Sequence, residues 1–199
     1  MEFIEVVRAV DKNGEVSSIA RRMFITNAFD SLLTSLGVAS GGYSSKTDPK
    51  ILALGIIGAA IAMGLFSATL GVYLSEKAER ERELKKIQTH VARQLYKDSI
   101  YYKAAKYIPI YVALWSGFGA TLFPILVSLP FVLADALDLS VGTAFIMSLG
   151  VGLVIIGFLG TYLSKISGER LISGLARFTG IGLAAVVAIL LIKRFFGLI

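Results

Sequence analysis

The sequence predicts an all-α, multi-pass membrane protein with about five transmembrane helices. Hydrophobic residues make up 55% of the 199 residues and charged residues only 17%, whereas a soluble domain is typically about a quarter charged. The apolar residues are also gathered into long runs, and a helix needs about 20 of them to cross a bilayer. The chain has no cysteine, which excludes disulfides, thiolate metal ligands and a cysteine nucleophile.

Several apolar runs are long enough to be membrane spans. The first is the most polar of the set, and the third contains Pro124 and Pro130, where a kink or break is expected. The predicted spans are Phe24–Tyr43, Ile51–Leu74, Ile108–Leu133, Val141–Leu163 and Leu171–Phe196. They divide the chain into an N-terminal cytoplasmic amphipathic segment (1–23), spans one and two (24–74), a cytoplasmic helical loop (75–107) and spans three to five (108–199).

The positions of the basic residues predict the orientation of the chain. Of the 20 Lys and Arg residues, 16 lie before span one, between spans two and three, or at the connection of spans four and five. Because cytoplasmic segments carry an excess of Lys and Arg, the N-terminus is expected in the cytoplasm and the C-terminus outside. This placement accounts for the net charge of +6, so nucleic-acid binding is not expected.

Polar and small residues form a stripe along the predicted first span. Their spacings of three and four residues place them on one face of a helix. The stripe consists of Asn27, Asp30, Thr34, Gly37 and Gly41. It is expected to face inward, with the bulky residues on the opposite face. Those bulky residues are Phe29, Leu32, Leu33 and Leu36.

The aspartate in this stripe is the strongest candidate for a functional residue. A charged aspartate near the middle of a span costs roughly 2.5–3.5 kcal/mol on insertion scales, so Asp30 is expected at a partner, a cavity or an ion. The functional interpretation is an ion or proton site. The structural interpretation is a polar residue that joins helices, or one near the start of a helix. Gly37 and Gly41 form a GxxxG motif, which predicts a homodimer packed through Asn27–Gly41.

The predicted second span carries a matching stripe of small residues. The stripe consists of Gly64, Ala68, Gly71 and Ser75. Such stripes are more often used for helix packing than for binding. The same surface is also expected to frame a transport path beside Asp30, with Met63 and Ser67 among its lining residues.

Acidic residues on one helical face follow the second span. They are Glu76, Glu79 and Glu83, with His90, the only histidine, further along. Oxygen ligands with one imidazole suit a hard or borderline divalent cation, which makes the three glutamates candidate metal ligands. The alternative is a solvated, salt-bridged helix in which Glu76 pairs with Arg80, and the interleaved basic residues favour it.

Three motifs resemble those of a known family of membrane proteins. They are Asp30 followed by GVASGG, the run ATLGVYLSEKAERERE that leaves the second span, and the glycine- and alanine-rich FTGIGLAAVVAILLIKRFFG of the last span. In these motifs and in its five-span plan, the chain resembles the vacuolar iron transporter family. It departs from the family pattern at Ala68, where methionine is common, and at Val72, where glutamate is often found.

The resemblance implies a homodimer that exports Fe²⁺ or Mn²⁺ from the cytoplasm in exchange for protons, along a path lined by spans one and two. The metal would be the substrate, and no permanently bound cofactor is expected. The alternative is a membrane scaffold or assembly protein that keeps the fold without transport. An enzyme is not expected, since the spans offer no histidine, cysteine or paired acids for a nucleophile–base pair or a metal cluster.

Overall fold

The computed structural model describes residues 2–91 and 99–195, and every regular element in these residues is a helix. The helices are α1 (Glu2–Val10), α2 (Glu15–Ser44), α3 (Pro49–Ile61), α4 (Val72–Val91), α5 (Ile100–Val132), α6 (Val141–Ser167) and α7 (Leu171–Phe195). A 3-10 turn at Asp11–Asn13 connects α1 to α2, and a π-helical segment at Ala62–Gly71 connects α3 to α4. The prediction of an all-α protein is confirmed.

Four helices in the described part of the chain are long and apolar enough to cross a membrane. They are Pro49–His90, Ile100–Val132, Val141–Ser167 and Leu171–Leu191. The protein is therefore an integral, multi-pass membrane protein. Helix α2 is 30 residues long, about 45 Å, but it is less apolar because it carries Asn27, Asp30 and Thr34. The count of five spans stays a prediction.

The helices continue through the predicted span boundaries. Helix α2 begins at Glu15, upstream of the predicted start of span one. The helix of span two continues to His90 as one element of 42 residues. Helix α5 begins at Ile100 and continues through both Pro124 and Pro130, so the break expected at these prolines does not occur. The predicted loop 75–107 thus consists, where it is described, mainly of extensions of two membrane helices. Its residues 92–98 lie outside the described residues, as does Phe196.

The chain divides into two compact units. The first comprises Met1–Asn27 and Met63–Gly119, and the second comprises Ala28–Ala62 and Ala120–Ile199. In the first unit, apolar residues of α1, α2, α4 and α5 form one hydrophobic core. The buried side chains of this core include Val7, Val16, Val72, Ile108 and Val112. The edge of the Phe3 ring contacts Tyr107, with 5.5 Å between ring centroids. The predicted N-terminal segment is therefore part of the helical core of its unit.

A charged cap holds the start of α2. Gly14 provides the left-handed backbone that this junction needs, with φ of 71°. The Asp11 carboxylate accepts a hydrogen bond from the Ser17 backbone N–H at 3.2 Å and another from the Ser17 hydroxyl. Burial of the Asp11 carboxyl acts to raise its pKa, but the hydrogen bonds from Ser17 and the Val16 backbone outweigh burial and lower the pKa below its usual value.

In the second unit, close helix packing depends on glycines. A Cβ atom added to Gly160 of α6 would lie 2.6 Å from the Gly174 carbonyl oxygen of α7, which shows that the two backbones touch. A Cβ added to Gly152 would lie 2.7 Å from the Leu36 side chain. Leu36 of α2 therefore fills a space that the absence of a side chain on α6 leaves open.

Candidate functional site on helix α2

The polar stripe of α2 lies on the surface of the chain. Asp30 and Thr34 are exposed and Gly37 is half-buried, whereas Leu32 and Leu36 on another face are 0% and 2% exposed. The prediction that the stripe faces inward, and the bulky residues outward, is wrong within a single chain. The physical reason is that the large apolar side chains of α2 fill the core of their unit.

Two side chains form the polar centre of this exposed stripe. Asp30 and Thr34 lie one helical turn apart, and the Thr34 hydroxyl donates to the Asp30 backbone carbonyl at 2.9 Å. The Thr34 oxygen therefore keeps acceptor capacity. Thr26, one turn before Asp30, is also exposed. The sequence interpretation missed Thr26, although its four-residue spacing from Asp30 gave the signal.

The two glycines of the stripe leave an open groove beside α2. A Cβ atom added to Gly41 would meet nothing within 4 Å, and one added to Gly37 would meet only the end of Ile189 at 3.9 Å. These glycines, predicted to serve helix packing, are thus not closely packed within their own chain. The space beside them is available to another helix.

Asn27 differs from the rest of the stripe. Its side-chain amide donates to the Met23 carbonyl at 3.0 Å and to the Ser116 hydroxyl of α5 at 2.8 Å. Ser116 is completely buried. Asn27, predicted to line a transport path, therefore joins two helices of the first unit.

The second predicted lining surface has π-helical geometry. The Thr69 hydroxyl donates to the Gly64 carbonyl, five residues back, at 2.7 Å. Gly64 and Ala68 are buried, but Gly71 and Ser75 are exposed. The predicted stripe is therefore wrong at its last two positions, because the wider π turns rotate the buried face onto Val72. Segments of π-helix occur frequently at functional sites.

Close packing involves only part of the small-residue stripe. A Cβ atom added to Gly117 of α5 would lie 2.8 Å from the Gly64 carbonyl oxygen, so the two backbones approach closely there. Gly71 has no atom within 4 Å of an added Cβ. Met63 is half-buried and Ser67 is exposed. Both belong to the first unit, whereas Asp30 and Thr34 belong to the second.

The three glutamates of α4 are held apart by arginines. The Arg80 guanidinium lies 2.7 Å from Glu83 and 3.9 Å from Glu76, and Glu79 lies 3.8 Å from Arg82. No three acidic, histidine or cysteine side chains in residues 2–91 and 99–195 are grouped so that they could hold a metal ion. The metal site of Glu76, Glu79 and Glu83 stays a prediction, and the pairing of Glu76 and Glu83 with Arg80 favours the salt-bridged alternative. The exposed His90 ring lies 2.7 Å from the Lys86 carbonyl oxygen.

Buried serines make hydrogen bonds between helices that the sequence analysis did not predict. Ser31 of α2 donates to the Ala120 carbonyl of α5, and Ser148 of α6 donates to the Val127 carbonyl at 2.8 Å. Such hydrogen bonds join helices in a membrane, where water cannot satisfy the hydroxyl. The signal in the sequence was the spacing of Ser31 and Ser35, four residues apart and next to Leu32 and Leu36.

The fold and site define a class: an integral, multi-pass, all-α membrane protein with a polar stripe exposed on one of its long helices. No family model matches the sequence. The chain is 33% identical, over 186 residues, to the uncharacterized protein MJ0645 of Methanocaldococcus jannaschii, and the alignment covers 92% of each chain. The protein belongs to the same family as this archaeal protein.

Proposed function

We propose that the protein is a homodimeric divalent-metal/proton antiporter that carries Fe²⁺ or Mn²⁺. The observation that carries the proposal is the exposure of Asp30 on α2. Intramembrane acids mark ion pathways and proton relays more often than they serve packing. The resemblance of the Asp30 and second-span motifs to those of vacuolar iron transporters implies Fe²⁺ or Mn²⁺ as the substrate.

A second copy of the chain is the proposed cover for the stripe. An aspartate facing lipid costs roughly 2.5–3.5 kcal/mol, and a partner that shields it removes that cost. The open groove at Gly37 and Gly41 allows a second helix to approach closely. A two-fold axis beside α2 would place the same residues of both copies opposite each other, so that two Asp30 carboxylates and two Thr34 hydroxyls line one path.

The proposed exchange uses the Asp30 carboxylates as the shared site for metal and proton. In the proposed exchange, the metal ion and the proton bind the two facing carboxylates in turn. An arriving divalent cation favours the charged form and expels the proton, and departure of the cation lets a proton return from the other side. Carboxylate and hydroxyl oxygens suit a hard divalent cation such as Mn²⁺. The resemblance to vacuolar iron transporters implies that the metal leaves the cytoplasm.

A membrane scaffold is the second candidate. The observation that favours it is the neutralisation of Glu76 and Glu83 by Arg80, which leaves the helix after the second span without free acids at these two positions. Ala68, which replaces a soft methionine ligand of the resembled family, is also buried. In this alternative the stripe of α2 is a subunit contact only.

Flux measurements in proteoliposomes test the proposal. Wild-type protein is expected to take up Mn²⁺ or Fe²⁺ with opposite proton movement, which an enclosed pH dye records. Asp30→Asn keeps the size of the side chain but not its exchangeable charge, so it should dimerise normally and lose the coupled flux. Asp138→Asn is the matched control, since Asp138 is exposed outside the helices and has φ of 51°, which asparagine tolerates. Absence of metal-dependent proton flux in the wild type would favour the scaffold, and wild-type flux in Asp30→Asn would place the path away from Asp30.

A further inference from the structure

A groove lies between α4 and α5 in the first unit, and none of its lining residues belongs to the stripe of α2. Its volume is about 560 Å³, within the range of pockets that bind small molecules. Its lining combines apolar residues, among them Ile110, with polar ones. The polar lining residues that matter here are Tyr73, Lys77, Glu81, Lys85, Tyr102 and Lys106.

The groove carries an excess of positive charge. Its lining contains three lysines and one acidic residue, Glu81. The Lys77 ammonium lies 3.9 Å from Glu81 and 5.8 Å from the centre of the Tyr73 ring. The Lys106 ammonium lies 5.2 Å from the ring centre of Tyr107. The nearby acids Glu76 and Glu83 are paired with Arg80, so they do not neutralise the groove.

The groove also crosses the boundary between the apolar and charged parts of both helices. On α4 the apolar run ends at Leu74, and the charged residues begin at Glu76. On α5 the lysines end at Lys106, and the apolar run follows it. Tyrosines collect at this level, as they do at membrane–water interfaces. A ligand in the groove would therefore contact apolar side chains at one end and ammonium groups and phenol hydroxyls at the other.

We infer that this groove binds the headgroup of an anionic phospholipid. The ammonium groups of Lys77, Lys85 and Lys106 match the phosphate oxygens, and the tyrosine hydroxyls can donate to the phosphate or glycerol oxygens. The acyl chains leave along the apolar end towards the bilayer. Basic pockets between helices at the membrane surface are suited to anionic lipid headgroups. This role is independent of metal transport.

Native mass spectrometry of the full-length protein released from detergent tests the inference. The probes are dioleoyl phosphatidylglycerol and dioleoyl phosphatidylcholine, which share acyl chains and differ in net charge. Wild-type protein should retain phosphatidylglycerol preferentially. The double variant Lys77→Gln/Lys106→Gln should lose about 25-fold in affinity for it, at about fivefold for each lysine. The charge-keeping pair Lys77→Arg/Lys106→Arg should restore binding, which separates loss of charge from misfolding.

Two controls distinguish lipid binding in the groove from nonspecific attraction between the basic protein and anionic lipid, and from binding of free anions. The pair Lys12→Gln/Lys165→Gln removes the same charge from exposed positions outside the groove and should leave lipid binding unchanged. Glycerol phosphate, the soluble part of the headgroup, should not displace the lipid at equal concentration. The inference is overturned if the groove pair keeps the lipid preference, if both pairs lose it equally, or if glycerol phosphate displaces the lipid.

Discussion

Replacing Gly160 with alanine is expected to force α6 and α7 apart. The added Cβ would lie 2.6 Å from both the Gly174 carbonyl oxygen and the Phe178 Cβ, where ordinary contacts are 3.4–4 Å. Neither of these atoms can move away by a side-chain rotation. Overpacking of this kind typically costs 1–3 kcal/mol, and we expect about 2–3 kcal/mol because backbone atoms are involved. For a chain of this size that corresponds to a fall of about 4–12 °C in the unfolding midpoint.

The assay is thermal unfolding of the purified protein in one detergent, followed by loss of the native peak in size-exclusion chromatography. Gly150→Ala on α6 and Gly180→Ala on α7 are matched controls. An added Cβ at either position meets nothing within 4 Å, so both variants should stay within about 2 °C of the wild type. If Gly160→Ala unfolds at the same temperature as Gly150→Ala, the close contact of α6 with α7 is wrong.

Asp11→Ala removes the charged cap of α2 and should cost about 0.5–2 kcal/mol at neutral pH. The pKa of Asp11 is lowered in the folded protein, so its stabilisation is present above about pH 4 and is lost as the pH falls further. Unfolding midpoints of wild type and variant should therefore differ at neutral pH and converge in acid, whereas a constant difference would contradict this. Asn27→Leu should cost about 0.6–1.7 kcal/mol, the range of hydrogen bonds between membrane helices, and leave metal flux intact; loss of flux from a stable variant would place Asn27 in the path. Replacing Glu76, Glu79 and Glu83 together with alanine should not change metal uptake in calorimetric titrations, because arginines already pair with all three, and lower uptake would restore the metal site.

The helical elements could be predicted from the sequence because their signals are local. Length and hydropathy of the apolar runs identify helices that could cross a membrane, and four of the predicted spans each overlap one helix that meets these criteria. The boundaries were less accurate. The charged residues after Leu74 mark the change from lipid to water, but the helix continues through them. Glu and Lys are charged and also favour helix.

The orientation of α2 could not be predicted from its periodicity. The spacing of Asp30 and Thr34 shows that they share a face, but not whether that face is buried. That depends on Gly152, more than a hundred positions away, which provides the space for Leu36. The rule that polar residues face outward holds for soluble proteins but gives no guide in a membrane, because lipid does not satisfy polar groups. The sequence therefore identified the stripe and assigned it to the wrong side of its own chain.

The π-helical segment could not be predicted either. The spacing of Gly64, Ala68, Gly71 and Ser75 assumes 3.6 residues per turn, and the change to i→i+5 hydrogen bonding has no simple signature in composition. Only the first two of these residues are buried. The salt bridges of Arg80, by contrast, were predictable from i,i+3 and i,i+4 spacing, and they favour the salt-bridged helix over a glutamate metal site.

Cross-linking of single cysteines tests most directly whether a second copy covers the stripe of α2. The chain has no native cysteine, so each variant carries one thiol. Thr34→Cys lies in the centre of the stripe, and Val154→Cys lies on α6 at a position that is 72% exposed. Mild oxidation in native membranes should give a disulfide-linked dimer with Thr34→Cys and none with Val154→Cys. The proposed interface, and the path between two Asp30 carboxylates, would be contradicted by either of two results. One is a linked dimer with Val154→Cys but not with Thr34→Cys, and the other is the absence of a linked dimer with both variants.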